Sequence, residues 1–198
     1  MNKEKQDDKQ AKAARINVQL GAAYLERKDL VRAKQKFLLA TKEAPELPEV
    51  WYSLAYFFET TGNQEQAKQY YMKALALAPS RGDVLNNYAT YLCRKGNFQV
   101  AIQHFLKAVQ DAEYLDASSA YENAGLCAEK IPDRKLAIQY FNKALLEDPA
   151  RPVSLIELAE LHYQEGNHQL ANAELNQFLQ ISSPMRFVRQ INERSCGN

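Results

Sequence analysis

One pattern of large and small apolar residues recurs along the chain at intervals of about 34 positions. In each copy a large or apolar residue precedes a small one, and a second large residue usually follows three positions later. The copies are Leu20-Gly21-x-x-Tyr24, Leu54-Ala55-x-x-Phe58, Tyr88-Ala89-x-x-Leu92, Ala124-Gly125-x-x-Ala128 and Leu158-Ala159-x-x-His162. Spacings of three and four residues place side chains on one helical face, so each copy predicts an amphipathic helix.

A second pattern follows each first one: an alanine, a bulky residue four positions later, and usually another alanine three positions after that. The alanines that begin it are Ala33, Ala67, Ala101, Ala137 and Ala171. The bulky residues are Phe37, Tyr71, Phe105, Phe141 and Leu175. Short polar turns such as Gly62-Asn63 separate the two patterns. The whole arrangement resembles the helix–turn–helix of the tetratricopeptide repeat.

This resemblance predicts an all-α tetratricopeptide solenoid that forms a right-handed superhelix. A single hairpin cannot bury its own apolar face, so each repeat needs a neighbour. We expect five full repeats, with two extra residues between the third and the fourth, at residues 14–47, 48–81, 82–115, 118–151 and 152–185. Residues 1–13 form a polar lead that is either disordered or the start of the first helix. Residues 186–198 are expected to form a partial sixth repeat or a capping helix.

Composition supports this class and narrows the function. Hydrophobic residues make up 46% of the chain and charged residues 25%, as in ordinary globular proteins. The formal net charge of +1 gives no electrostatic reason to expect nucleic acid as a partner. The sequence has no apolar run long enough to span a bilayer, and its polar N-terminus does not have the form of a signal peptide.

No residue constellation indicates catalysis or metal binding, so we expect a protein that is not an enzyme and that needs no cofactor, metal or small-molecule substrate. His162 and His168 are six residues apart, which does not place them on one helical face. Because His162 takes a position that holds aromatic residues in other repeats, a role in the core is expected for it.

The candidate binding surface is the inner face, which the first helix of each repeat lines in this architecture. We predict partner contacts there at Tyr52, Tyr56, Asn86, Thr90 and Glu122. Tyrosines bury much area at a low cost in side-chain entropy, so they often anchor interfaces. The alternative is that some of these residues only pack against neighbouring repeats. Co-chaperones of this fold that bind a C-terminal carboxylate use lysine, asparagine and arginine at defined positions. The matching residues here are Val18, Ala22, Ser53, Asp83 and Asn87. Only Asn87 is of a type that such co-chaperones use, so we do not expect that function.

Two of the three cysteines, Cys93 and Cys127, are separated by one repeat length. They lie at nearly the same level of two successive first helices. The pair is therefore either a disulfide between adjacent repeats, which needs an oxidising compartment, or two buried free thiols.

The residues around both cysteines carry a closer resemblance. Leu85-Asn86-Asn87-Tyr88 with Leu92-Cys93, and Glu122-Asn123-Ala124-Gly125-Leu126-Cys127, are similar to the PilF/PilW family of type IV pilus biogenesis and stability proteins. The insertion around Tyr114 is also similar. The family consists of outer-membrane lipoproteins that act as pilotins, helping the pilus secretin reach the outer membrane and multimerise, or that stabilise pilus fibres.

This resemblance implies several expectations. They are a scaffold at the periplasmic face of the outer membrane, secretin subunits or other pilus-assembly proteins as partners, and a disulfide between Cys93 and Cys127. Contact with a membrane is expected only through a lipid anchor, whose lipobox cysteine this chain does not have. Two alternatives are a generic adaptor of another envelope or cytosolic complex and the repeat region of an enzyme such as a glycosyltransferase. The second alternative needs a catalytic domain, for which 198 residues leave no room.

Overall fold

A computed structural model describes residues 2–182, with side-chain environments from residue 6 onward. These residues form ten α-helices and no strand. The helices are α1 (Asn2–Glu26), α2 (Leu30–Glu43), α3 (Pro48–Thr60), α4 (Gln64–Leu77), α5 (Gly82–Arg94), α6 (Phe98–Ala108), α7 (Ala117–Ala128), α8 (Arg134–Glu147), α9 (Pro152–Gln164) and α10 (His168–Ser182). The polar segment 1–13 is helical from Asn2 and continues into α1 without a break. The helix expected at 186–198 lies outside the described residues.

The helices follow one another in pairs joined by short turns, with the period that the sequence predicts. Gly62, Gly96 and Gly166 adopt φ values of 88°, 81° and 80°, a left-handed conformation that ends α3, α5 and α9. Lys28 takes the same role after α1, with φ 60°. The next helix then begins with a cap in several repeats; for example, the Asn63 side chain accepts a hydrogen bond of 3.1 Å from the Gln66 amide.

The core is built from small residues of one helix set against rings of its partner. Gly21 faces the ring of Phe37, and Gly125 faces the ring of Phe141. The alanines that begin each second-helix pattern are buried, with 0–3% of their surface exposed. These contacts explain why the small and large residues recur in register.

The described residues divide into two compact bodies, a first body that ends at Tyr91 and a second body that begins at Leu92. In the second body, the two extra residues fall in the segment between α6 and α7, where Leu115 is 98% exposed. Asp116 ends this segment and caps α7 by accepting a hydrogen bond from the Ser119 amide. No described helix has the length and apolar character needed to cross a bilayer.

Candidate partner-binding surfaces

The first body has a small apolar pocket at the inner-face positions. It has a volume of about 110 Å³ and is lined by Val18, Ala22, Phe37, Tyr52, Ser53, Tyr56 and Asn87. Helices α1, α3 and α5 each contribute lining residues, while Phe37 comes from α2. Tyr56 is 46% exposed at the pocket, so its ring offers apolar area to a partner. The pocket can accept a single aliphatic or aromatic side chain.

A network of ion pairs and hydrogen bonds lies beside the inner-face pocket and includes Tyr52 of its lining. The Tyr52 hydroxyl donates a hydrogen bond of 3.1 Å to Asp83. Arg81 donates to Asp83 at 2.6 Å and to Glu49 at 2.8 Å, and Arg15 donates to Glu49 at 3.1 Å. Burial and the nearby Asp83 carboxylate raise the pKa of Tyr52, so its hydroxyl stays protonated and remains a donor.

The structure divides the predicted contact residues into two groups. Tyr52 and Tyr56 line the inner-face pocket, whereas Asn86 and Thr90 do not. Both of these α5 residues are half-buried, and Thr90 donates a hydrogen bond of 2.8 Å to the Asn86 carbonyl. The remaining lining residues on the first helices are Val18, Ala22, Ser53 and Asn87. In the sequence these four match positions of a carboxylate clamp, and none of them is among the five predicted contacts. The lining contains no lysine or arginine, which such a clamp requires.

Glu122, the predicted partner contact in the second body, forms its hydrogen bonds within that body. The residue is buried, with 7% of its surface exposed. It accepts a hydrogen bond of 2.6 Å from Arg151 and further bonds from the amide and hydroxyl of Ser154, at 3.1 and 2.8 Å. Burial alone would raise the pKa of Glu122, but the bonds from Arg151 and Ser154 outweigh it and hold this pKa below its ordinary value. Glu122 therefore joins α7 to the start of α9.

Cys93 and Cys127 are bonded to each other in the second body. Their Cα atoms lie 5.8 Å apart, within the range that a disulfide requires. Cys127 is fully buried in α7, while Cys93, in the last turn of α5, is half-buried. The bond joins the first helices of the third and fourth repeats.

His162 is buried, with 8% exposed, and its Nδ1 lies 2.8 Å from a carboxylate oxygen of Glu174 in α10. This contact joins the two helices of the fifth repeat. In the described part of the chain, no group of three or more histidines, cysteines or carboxylates could hold a metal ion.

Glu129, which caps the C-terminal end of α7, has an unusual electrostatic environment. Burial and the neighbouring carboxylate of Glu157, with a further contribution from Glu160, raise the pKa of Glu129 to about 7. Lys130 opposes this shift only in part. The Glu129 carboxyl group therefore titrates at a higher pH than an ordinary glutamate.

Glu129→Gln is expected to stabilise the protein at pH 8 by about 1 kcal/mol, a value reduced from the full linkage energy because the group is partly exposed. An unfolded glutamate has an ordinary pKa of 4.5, below the folded value of about 7, so the folded state binds more protons between these values. The free energy of unfolding of the wild type thus falls as pH rises through this window. Urea unfolding at pH 4.5 and pH 8 measures the effect, with the exposed Glu147→Gln as control. An equal effect of Glu129→Gln at both pH values would contradict the expectation.

Comparisons with known proteins agree with this architecture. Models of the tetratricopeptide repeat match residues 48–81 and 88–154, which together make up about half of the chain. No curated protein sequence matches it. Among solved structures, PilF from Pseudomonas aeruginosa is 28% identical with a TM-score of 0.77, over 94% of this chain and 87% of that one. PilW, a widely conserved type IV pilus biogenesis factor, is 25% identical with a TM-score of 0.74, over 85% and 77% of the two chains.

A third structure supports the fold alone. Yeast Tom70 is 17% identical with a TM-score of 0.75, over 89% of this chain but only 38% of its own. The repeat period, the ten paired helices and the matching repeat models lead to one conclusion. This chain belongs to the tetratricopeptide-repeat proteins and is a scaffold that binds other proteins.

Proposed function

We propose that this scaffold acts in type IV pilus biogenesis, as a pilotin for assembly of the outer-membrane secretin, in the stability of the pilus fibre, or in both. The observation that carries the proposal is the likeness to PilF, at 28% identity over 94% of this chain. The likeness to PilW, a pilus biogenesis factor, supports it independently. In this proposal the chain has no catalytic activity, and secretin subunits or other pilus-assembly proteins are its partners.

The inner-face pocket of the first body is the proposed contact for the partner. Its lining is largely apolar, and Tyr52 and Tyr56 supply the aromatic area that typically anchors interfaces. The ionisable groups at its rim are already paired with one another, as in the contacts of Arg81 with Glu49 and Asp83. A partner can therefore insert an apolar side chain without leaving one of these charges unpaired.

The proposed location is the periplasmic face of the outer membrane. The bond between Cys93 and Cys127 supports it, because structural disulfides persist mainly in oxidising compartments. Free thiols at both positions, in protein isolated from the cell with thiols trapped at lysis, would contradict this location.

Ala22→Glu is expected to weaken partner binding more than tenfold, because a desolvated and unpaired carboxylate in an interface costs about 2 kcal/mol or more. Ala22 is exposed and lines the inner-face pocket, so the substitution changes the surface without disturbing the core. Ala23→Glu is the matched control, since Ala23 is the next residue, is also exposed, and does not line the pocket.

The test uses a strain in which the gene is deleted and then complemented with the wild type or either variant. The measurements are heat- and detergent-resistant secretin multimers and surface pili. We expect the deletion and Ala22→Glu to lower at least one of them, and Ala23→Glu to restore both. Normal levels of both in the deletion strain would overturn the pilus proposal. If the deletion lowered the multimers or the pili and the Ala22→Glu variant restored them fully, the pocket would not be the contact.

A further inference from the structure

A second, larger groove lies on the first body and shares no lining residue with the inner-face pocket. It has a volume of about 560 Å³ and is formed by α2, the end of α3, and the start of α4 with the turn before it. Phe57 and Phe58 line it from α3. Leu30 and Val31 line it from α2, with 46% and 70% of their surfaces exposed. We call this surface the α2–α4 groove.

Helix α2 carries two separate apolar stripes, and only one of them belongs to the core. Ala33, Phe37 and Ala40 are buried and form the first stripe. The second stripe consists of Val31 and Leu38, with Lys34 between them; these three groove residues follow a spacing of three and four residues and lie about 120° away around the helix, at 100° per residue. Packing of the repeat therefore does not explain the second stripe. An exposed apolar stripe next to aromatic residues is typical of an interaction surface.

The charge of the α2–α4 groove indicates what it binds. Lys34 is the only ionisable residue in its lining, which contains no carboxylate. The Lys34 ammonium lies 5.5 Å from the centre of the Phe58 ring, and it forms no ion pair with any residue between 6 and 182. Gln35, Asn63 and Gln66 add amide groups that can bond to the backbone of a bound segment. The lining is thus apolar, with one cation available to a partner.

We propose that the α2–α4 groove binds a segment of a partner protein that combines aliphatic or aromatic side chains with a carboxylate placed to meet Lys34. Apolar area supplies most of the affinity, and the ammonium selects an acidic segment over a basic one. The inference rests on the proposed function only in that the chain binds proteins. It adds a second surface, so one partner can hold the scaffold at two places or two partners can bind together.

Two synthetic amphipathic peptides test the proposal on the purified full chain. They share the same leucine positions and differ only in having glutamate or lysine at the polar positions. Fluorescence anisotropy at low salt measures both affinities. We expect the glutamate peptide to bind about fivefold more tightly than the lysine peptide, the effect of one partly exposed ion pair.

Lys34→Glu is expected to reverse this preference, because it reverses the charge and keeps the apolar residues Val31, Leu38 and Phe58 of the lining. Val31→Glu is expected to weaken the glutamate peptide about tenfold or more, by placing a like charge in the apolar stripe. Val100→Glu is the control, because Val100 is an apolar residue of α6 with 47% exposure that is not part of the groove. Both groove positions are exposed in the structure, and thermal unfolding checks that every variant is folded.

Equal affinity for the two peptides, or a preference that Lys34→Glu leaves unchanged, would overturn the proposal. Self-association of the wild type that Val31→Glu abolishes would also overturn it, because a second copy would then be the occupant. These measurements contain no pilus component. If the peptides did not bind as expected while the Ala22→Glu strain had fewer secretin multimers, the proposal for the α2–α4 groove would be wrong. The proposed function would be unaffected.

Discussion

Replacing Arg151 by alanine is expected to lower the free energy of unfolding by about 3 kcal/mol, the cost of breaking a buried ion pair from one side. Arg151 precedes α9 and donates a hydrogen bond of 2.6 Å to Glu122 in α7. The Glu122 side chain is only 9% exposed and that of Arg151 only 21%. Without the guanidinium, a carboxylate would stay buried with only Ser154 to bond to it.

Two comparisons isolate this ion pair. The double variant Glu122→Ala with Arg151→Ala leaves no unpaired charge. We therefore expect its free energy of unfolding to fall by less than the sum of the losses of the two single variants. Arg81→Ala removes the analogous ion pair of the first body, between Arg81 and Glu49. The Arg81 side chain is 38% exposed, so we expect the free energy of unfolding to fall by only about 1 kcal/mol. Equal losses for the two arginines, or additive single and double variants at positions 122 and 151, would contradict this account.

The stabilisation from the ion pair between Glu122 and Arg151 depends on pH in a defined direction. Arg151 and Ser154 hold the pKa of Glu122 below its ordinary value of 4.5 in the folded protein. Its stabilising contribution is therefore complete above that value and is lost as pH falls through the lower folded pKa. The difference in the free energy of unfolding between the wild type and Arg151→Ala should therefore become smaller at acid pH. Glu129 has the opposite effect, since its contribution to stability is lost as pH rises.

The repeat architecture could be predicted because the features that create it are local in sequence. A small residue such as Gly21 and the ring of Phe37 that packs on it lie within one hairpin, so the pattern is visible in every copy. The ion pair between Glu122 and Arg151 could not be predicted in this way. Register places Glu122 at an inner-face position, but the start of α9, some thirty residues later, covers it.

The binding surfaces show the same limit. Register predicts an inner-face position for Tyr52, Tyr56, Asn86 and Thr90 alike. It does not give the direction of a side chain, and of these four only Tyr52 and Tyr56 line the inner-face pocket. The α2–α4 groove was missed because only one stripe of α2 follows the repeat pattern. For Cys93 and Cys127, spacing left both a bond and free thiols open. The distance of 5.8 Å between their Cα atoms comes from tertiary packing, which spacing in the sequence does not give.

Gly125→Ala is expected to destabilise the protein by about 2 kcal/mol, although alanine is the better helix former. Gly125 lies within α7, where helix propensity alone predicts a gain of about 1 kcal/mol for alanine. A Cβ atom at this position would lie 2.6 Å from Cε1 and 2.7 Å from Cδ1 of Phe141. Phe141 is fully buried, so its ring has no free space into which to move. Overpacking of this kind typically costs about 1–3 kcal/mol, and we expect it to exceed the gain in propensity.

Gly21→Ala is the matched comparison, because the equivalent Cβ would lie 2.9 Å from the Phe37 ring, a less severe overlap. We therefore expect the same sign with a smaller loss, measured for both variants by urea unfolding. Adding Phe141→Leu to Gly125→Ala should recover part of the stability, since the smaller side chain leaves room for the new methyl group. If Gly125→Ala were instead more stable than the wild type, α7 and α8 would have to separate readily. Close contact between small and large residues would then not be what fixes the spacing of the two helices in this repeat.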